Sequence, residues 1–121
     1  MEFDLVPTLF ELFSGIEGVE LVAADYPQVW EEFPAIIFRT SKRTYAFDTE
    51  NKPITTLWTV SIEVYGELDV SGTVSKLEDS LRDIGMVGNS RDANTLFLKR
   101  SVCQFNGVLD NESHIMYRYK T

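Results

Sequence analysis

The sequence predicts an α+β domain in which a single, mainly antiparallel sheet carries two helices on one face. Three observations lead to this prediction. Around residues 5–16 and 72–84, apolar residues recur at helical spacing. Other segments alternate apolar and polar residues, as an antiparallel strand with one wet face does. The 121 residues show no internal repeat and no linker, so we expect one domain over residues 1–121.

Both helices are predicted from an apolar stripe and from the residues at their ends. Asp4 is a capping residue at the start of the first helix, and Pro7 costs little in its first turn. Gly15 and Gly18 can end the first helix, and Gly85 and Gly88 can end the second. The stripes consist of Leu5, Leu9, Leu12 and Ile16 in the first helix, and of Val74, Leu77, Leu81 and Ile84 in the second.

Apolar and alternating runs predict the strands. They cover residues 19–25, 35–40, 44–48, 55–66, 95–107 and 113–120. The last two form a C-terminal hairpin around a polar turn. In the strand over 55–66, one face carries Trp58, Val60, Ile62 and Val64. We expect that face to pack on the second helix.

A long β-hairpin over residues 42–53 is the main candidate for an assembly element. Its tip is polar and consists of Asp48, Thr49, Glu50, Asn51 and Lys52. Because such a tip has no apolar residue to bury, we expect it to be weakly ordered in the isolated protein and cheap to shorten. It is predicted to become ordered against a binding partner, with the ordering entropy lost at that step.

Charge is divided unevenly along the chain. The formal net charge is −8, and eight acidic residues precede the first basic one, Arg39. This balance argues against nucleic-acid binding by phosphate neutralisation. From residue 93 onward the chain is basic, so unlike surfaces of two copies could meet. The predicted contact charges are Glu17 and Glu20 on the acidic side and Arg118 and Lys120 on the basic side. The alternative is a solvated acidic surface that aids solubility.

No residue cluster has the pattern of a catalytic or metal site. His114 is the only histidine, and it is placed on a strand, pointing away from the face of Ile115. Cys103 is placed mid-strand without a base to activate it, so we expect a small buried or half-buried side chain. The carboxylates of Asp48, Glu50, Asp110 and Glu112 lie in predicted turns, where polar side chains commonly hydrogen-bond to the backbone and do not hold a metal ion. We therefore expect no enzymatic activity, no metal and no cofactor.

The composition also bears on the compartment. No apolar run approaches the ~18 residues that a membrane helix needs, so we expect no membrane contact. The first residues are acidic where an export signal would be basic. A single cysteine excludes an internal disulfide and fits a reducing compartment.

Several features, taken in order along the chain, carry a family resemblance. They are a first helix that ends in Gly15-Ile16-Glu17-Gly18-Val19, a short strand into Tyr26-Pro27, the opening of the sheet at Phe33-Pro34-Ala35-Ile36-Ile37-Phe38, a long hairpin, the strand WTVSIEVYGE, a second helix and a closing hairpin. In this order of elements the chain resembles the tail terminator proteins of long-tailed siphophages, also called tail completion or head–tail joining proteins.

The resemblance implies a structural role. Such proteins form a ring, usually a hexamer, on the head-proximal end of the tail tube, where they stop tube growth and join the tail to the head connector. The implied partners are further copies of the chain, the major tail tube protein and the head connector or a head-completion protein. The implied location is the tail neck of the virion, after assembly in the bacterial cytoplasm, with DNA passing through the ring without specific binding.

Alternatives to this role are open at this point. Another neck or minor structural protein of the same particles, such as a head-completion protein, shares part of the pattern. From other classes, a small phage enzyme would need clustered carboxylates with a lysine or histidine. A nucleic-acid-binding sheet domain could stack bases on aromatic residues, but the acidic balance disfavours it.

Overall fold

The computed structural model describes residues 3–47, 49–50 and 53–117. The elements in chain order are α1 (Val6–Ser14), β1 (Leu21–Ala23), β2 (Ala35–Phe47), β3 (Pro53–Gly66), α2 (Ser71–Asp83), β4 (Val87–Asp92), β5 (Lys99–Asp110) and β6 (Met116–Tyr117). The described part of the chain is therefore α+β, as predicted, with two helices and one sheet of six strands.

The sheet is mixed but mostly antiparallel. Its strand order is β1-β2-β3-β5-β4, and β6 pairs with the far end of β5. Only β1 and β2, among the described strands, pair in parallel. The long hairpin is present as β2 and β3, which pair from Ala35↔Tyr65 to Phe47↔Pro53. On its other side β3 pairs with β5 from Thr55 to Gly66, so the hairpin is built into the sheet along most of its length.

The limits of several predicted strands are wrong. The runs over 35–40 and 44–48 are one strand, because the polar residues between them continue the ladder with β3. The predicted turn over 108–113 begins too early, since β5 continues to Asp110. The predicted strand over 113–120 is shorter in the described residues, where β6 covers only Met116 and Tyr117.

The sequence pattern does not predict β4 at all. Its sequence VGNSRD is polar and contains Gly88, which looked like part of a helix stop. In the structure this glycine lies in β4, opposite Phe105 of β5. A Cβ atom on Gly88 would lie 2.0 Å from the carbonyl oxygen of Gln104 and 2.7 Å from Phe105, so only glycine fits there.

Both helices pack on one face of the sheet, as predicted. The strand residues Trp58, Val60, Ile62 and Val64 are all buried and belong to one hydrophobic cluster. From the helices, the same cluster contains Leu5, Leu9, Phe13, Val74, Leu77 and Leu81. The predicted stripe of α1 needs one change, because Phe13 is fully buried whereas Leu12 is only half-buried.

Aspartates just before the two helices bind their first backbone N–H groups. The Asp4 carboxylate accepts a hydrogen bond from the Val6 N–H at 3.1 Å, although the helix itself begins at Val6. The Asp69 carboxylate does the same for the Ser71 N–H, also at 3.1 Å. Both satisfy a donor that the helix leaves without a backbone partner.

The other face of the sheet, which we call the outer face, is polar along most of its length and apolar at one end. The β1–β2 segment (residues 24–34) covers that end. A second, smaller cluster forms there around Ala35, Ile37 and Tyr65, with Trp30 and Phe33 of the segment packed against it. The Phe33–Pro34 peptide bond is cis. In the described part of the chain, no helix is long and apolar enough to cross a membrane.

Replacing Ile62 with alanine should lower the free energy of unfolding by about 2–5 kcal/mol, because a fully buried side chain leaves a cavity. Chemical denaturation measures this loss. The matched control is Ser61→Ala, the next residue of β3, which is exposed on the outer face and should change stability by less than about 0.5 kcal/mol. If the two variants proved equally stable, the assignment of the core face would be wrong.

Candidate functional site

A polar network on the outer face ties the β1–β2 segment to the sheet at Glu63. Since its neighbours in β3 point into the core, Glu63 points outward. The Tyr26 hydroxyl donates to Glu63 Oε2 at 2.5 Å, and the Tyr65 hydroxyl donates weakly to Oε1 at 3.4 Å. Arg100 donates to Oε1 through Nε at 3.1 Å and through a close Nη2 contact. We call Tyr26, Glu63, Tyr65 and Arg100 the Glu63 clasp.

Aromatic rings surround the clasp and continue into the β1–β2 segment. The ring of Trp30 lies 4.6 Å from that of Tyr65 and stacks on Phe33 with centroids 6.1 Å apart. The guanidinium of Arg39 lies over the Tyr26 ring at 5.1 Å, a favourable cation–π distance. The segment is therefore held to the sheet by ring packing as well as by the carboxylate.

The clasp keeps its carboxylate ionised. Burial on its own would raise the pKa of Glu63, but hydrogen bonds from Tyr26 and Arg100, the charge of Arg100 and the Tyr65 hydroxyl outweigh it. The pKa of Glu63 consequently lies below its ordinary value of 4.5. Burial and the nearby Glu63 charge raise the pKa of Tyr65, and the hydrogen bond to Glu63 raises the pKa of Arg100.

This chemistry is that of a structural contact. A general acid or base needs a pKa near the working pH, and Glu63 is shifted in the opposite direction. Its oxygens already accept hydrogen bonds from three side chains. The cavity beside it, of about 220 Å³, is lined by Tyr26, Ile37 and Arg39 among others. What the clasp does is position the β1–β2 segment at one end of the sheet.

The sequence analysis places Glu63 correctly on the wet face of its strand but does not find the clasp. The partners of Glu63 are 37 positions away in each direction, at Tyr26 and Arg100. Only the strand register and the path of the β1–β2 segment bring them together. One signal was present: YPQVWEEFP has three aromatic residues in a stretch that is neither helix nor strand, and these rings need a surface to pack on.

The predicted assembly hairpin has more apolar character near its tip than expected. Thr49 and Glu50 form part of an exposed turn, whereas Asp48, Asn51 and Lys52 lie outside the described residues. Next to the tip, three large apolar side chains are exposed to solvent, Tyr45 by 49%, Phe47 by 57% and Ile54 by 39%. We call Tyr45, Phe47 and Ile54 the hairpin end.

Of the predicted contact charges, the structure describes only the two acidic ones. Glu17 and Glu20 are exposed beyond the end of α1. Glu17 Oε2 lies 3.9 Å from Lys76 Nζ of α2, across an open groove of about 600 Å³ between the helices. At that distance and exposure the pair contributes little to stability. Arg118 and Lys120 lie outside the described residues.

The structure also shows where the candidate side chains of Cys103 and His114 lie. Cys103 is buried, as predicted, and burial, with a smaller effect of the Glu78 charge, raises the pKa of its thiol to about 11. Such a thiol is not a nucleophile at neutral pH. His114 is not on a strand, contrary to the prediction. It lies in a turn with φ of 62°, and its ring is 4.3 Å from that of Phe3.

Among the turn carboxylates, that of Asp110 binds the backbone of its own turn. Asp110 Oδ1 accepts hydrogen bonds from the N–H groups of Glu112 at 2.9 Å and Ser113 at 3.1 Å. These bonds lower the pKa of Asp110. Over residues 3–47, 49–50 and 53–117, no three histidine, cysteine, aspartate or glutamate side chains are grouped so that they could hold a metal ion.

No protein-family model matches this chain, and comparison with curated proteins finds no significant match. Function is therefore inferred from the surfaces of the molecule itself. Three stand out in the described residues: the hairpin end, the acidic helix side (Asp4, Glu11, Glu17 and Glu20), and the end of the sheet that the Glu63 clasp organises.

Replacing Glu63 with glutamine should lower the free energy of unfolding near neutral pH by about 1–3 kcal/mol, since charge-assisted hydrogen bonds are lost. The folded pKa of Glu63 lies below the unfolded value of 4.5, so its stabilisation is complete above pH 4.5 and is lost as the pH falls through the folded pKa. The gap between wild type and variant, measured by denaturation at several pH values, should narrow below about pH 4.5.

The control is Asp25→Asn, which removes the charge from an exposed pair with Arg39 at 3.3 Å. Its side chains are 57% and 88% exposed, so a change below about 0.5 kcal/mol is expected. A gap between wild type and Glu63→Gln that widened on acidification would contradict the assigned pKa direction.

Proposed function

We propose that the protein is a structural subunit that forms a ring on the head-proximal end of a phage tail tube, ends tube growth and joins the tail to the head. The observation that carries the proposal is the long β2–β3 hairpin within this order of elements. The hairpin spans 13 residues in β2 and 14 in β3, and it presents exposed aromatic residues beside its tip. Large exposed apolar groups of this kind are typical of protein contact sites.

The charge distribution supports assembly between unlike surfaces. Residues 4–20 contain Asp4, Glu11, Glu17 and Glu20 and no basic residue. A ring of identical subunits needs a heterologous contact, in which one surface of each subunit meets a different surface of the next. The acidic helix side is one such surface, and the basic C-terminal residues Arg118 and Lys120 are its proposed counterpart.

The proposed partners follow from that position in the particle. They are further copies of the chain in a ring, proposed as a hexamer, the major tail tube protein below it, and the head connector or a head-completion protein above it. The proposed location is the tail neck of the virion. An acidic channel wall would let DNA pass without binding it, because like charges repel.

Another neck component remains the second candidate, and loss-of-function phenotypes separate the two. Without a terminator, tail tubes have no stop and their lengths become uncontrolled. Without a head-completion protein, tails of normal length accumulate unattached to heads. Electron microscopy of particles from a phage that lacks the protein distinguishes these outcomes.

Replacing residues 48–52 by a two-residue Asn-Gly turn should leave the melting temperature near that of the wild type but produce tails that overgrow or fail to join heads. The measurements are thermal unfolding and microscopy of the particles. A control variant, Thr49→Ala with Glu50→Ala, keeps the length of the tip and tests whether its chemistry matters. Infectious particles completed by the shortened protein would exclude an assembly role for the tip.

Reversing Arg118 and Lys120 to glutamate should weaken assembly on tails, and more so at low salt, where charge contacts are less screened. A matched pair of changes, Glu17→Lys with Glu20→Lys in the same chain, should restore part of the assembly if these charges face each other. Sedimentation of tails with bound protein measures both effects. Assembly that is unchanged at every salt concentration would remove the charge contact from the proposal.

A further inference from the structure

An apolar patch lies in solvent at the end of the sheet where β3 ends and β5 begins. Leu68 is 81% exposed, Leu96 is 89% exposed and Phe97 is 88% exposed. Trp30 and Phe33, which the Glu63 clasp positions, adjoin them. We call Trp30, Phe33, Leu68, Leu96 and Phe97 the apolar end patch. Clustered apolar groups of this size mark a surface that a partner covers.

Shared clefts show that the patch is continuous. Trp30, Phe33 and Phe97 line one cleft of about 700 Å³. Phe33 also lines the adjoining cleft, of about 320 Å³, together with Leu68. Leu96 precedes Phe97 at the tip of the β4–β5 turn. The patch therefore combines the rings that line the clefts with the two exposed side chains of the turn tip.

Hydrogen bonds hold the β4–β5 turn in shape. The Thr95 N–H donates to the Leu98 carbonyl at 2.9 Å, and the Leu98 N–H donates to Thr95 Oγ1 at 3.0 Å. The Arg100 N–H donates to Asn94 Oδ1 at 2.9 Å, and the Ala93 N–H donates to the Arg100 carbonyl at 2.9 Å. A turn bonded in this way presents its apolar tip without further ordering, which lowers the entropic cost of binding.

The opposite end of the sheet offers a matching surface. The hairpin end, Tyr45, Phe47 and Ile54, is also apolar and exposed. It lies where β3 begins, whereas the apolar end patch lies where β3 ends. Because β3 has 14 residues at about 3.3 Å each, the two surfaces are roughly 45 Å apart and cannot meet within one subunit.

Charge favours a meeting between two copies. The apolar end patch has a mainly acidic border, because Glu31, Glu67 and Asp69 line its two clefts, while one basic residue, Lys99, lies near Asp69. The hairpin end follows the basic side chains of Lys42 and Arg43 along β2 and is followed by the exposed Glu50 of the tip, so basic residues outnumber acidic ones among described residues 42–50. An apolar patch with a mainly acidic border is therefore complementary to exposed apolar side chains on a net basic hairpin.

We propose that the apolar end patch of one copy receives the hairpin end of a second copy, in a head-to-tail contact. The inference rests on the proposed function in taking the hairpin as an assembly element, and it names the surface that the hairpin binds. The contact is heterologous, so it closes into a ring if the rotation between subunits allows and extends into a filament otherwise. In this contact the Glu63 clasp has a role, because it orients Trp30 and Phe33, two rings of the receiving surface.

Disulfide trapping tests the contact directly, with Phe97→Cys in the apolar end patch and Phe47→Cys in the hairpin end. Both side chains are mostly exposed, so neither change removes core packing. The native Cys103 is buried, with its pKa raised to about 11, and does not compete. The two purified variants are mixed, oxidised mildly and run on a non-reducing gel.

The mixture should give at least about tenfold more cross-linked dimer than a mixture of Phe97→Cys with Gln104→Cys, because docked thiols react at a high effective concentration. Gln104→Cys is the control because it is exposed on the outer face away from both ends. Dimer from Phe97→Cys alone, equal to that from the mixture, would show patch-to-patch pairing and overturn the proposal. Equal and low yields in all mixtures would overturn it as well.

A second variant separates this inference from the proposed function. Leu96→Ser with Phe97→Ser makes the turn tip polar and should abolish trapping between Leu68→Cys on that chain and Phe47→Cys on another. If trapping succeeds with the unmodified tip but Leu96→Ser with Phe97→Ser leaves phage tails normal, the contact stands and the terminator role fails. If trapping fails but shortening the hairpin still spoils tails, the role stands and the hairpin contacts the tube instead.

Discussion

The structure depends on the alternation of β3, which pairs with β2 on one side and with β5 on the other. Its even-numbered residues, such as Ile62, form the floor under both helices. Its odd-numbered residues point to the outer face, where Glu63 and Tyr65 hold the β1–β2 segment. A slip of one residue in the pairing of β3 would exchange the two sets of side chains. The register that buries the core residues is therefore the same register that places Glu63 in its clasp.

The clasp links packing to function. A partly buried carboxylate is stable only with compensating donors, and Glu63 has them in Arg100 and two tyrosine hydroxyls. Trp30 and Phe33 stack beside it and extend toward an exposed end of the molecule. The same interaction that closes the outer face thereby holds two rings of the proposed receiving surface. A rigid receiving surface loses less entropy on binding than a mobile one.

Two exposed apolar surfaces lie at the two ends of one long strand. The apolar end patch has a mainly acidic border, whereas the hairpin end follows two basic residues of β2. A subunit with unlike ends is suited to repeated assembly, because each copy offers one surface of each kind. The proposed ring would depend on that property.

Local periodicity in the sequence was enough to predict the α+β class, the two helices, the buried face of β3 and the buried Cys103. The tertiary structure decided the features that depend on distant partners. β4 is a strand because β5 pairs with it, and Glu63 has a clasp because Tyr26 and Arg100 are folded onto it. The hairpin was predictable from its pattern, but the apolar end patch was not. Leu96 and Phe97 belong to a run that predicted a strand of the C-terminal hairpin, but the chain turns there and leaves both side chains in solvent. An apolar run shows what a segment tends to bury, whereas the packing of the whole chain determines whether this subunit or a neighbouring one covers it.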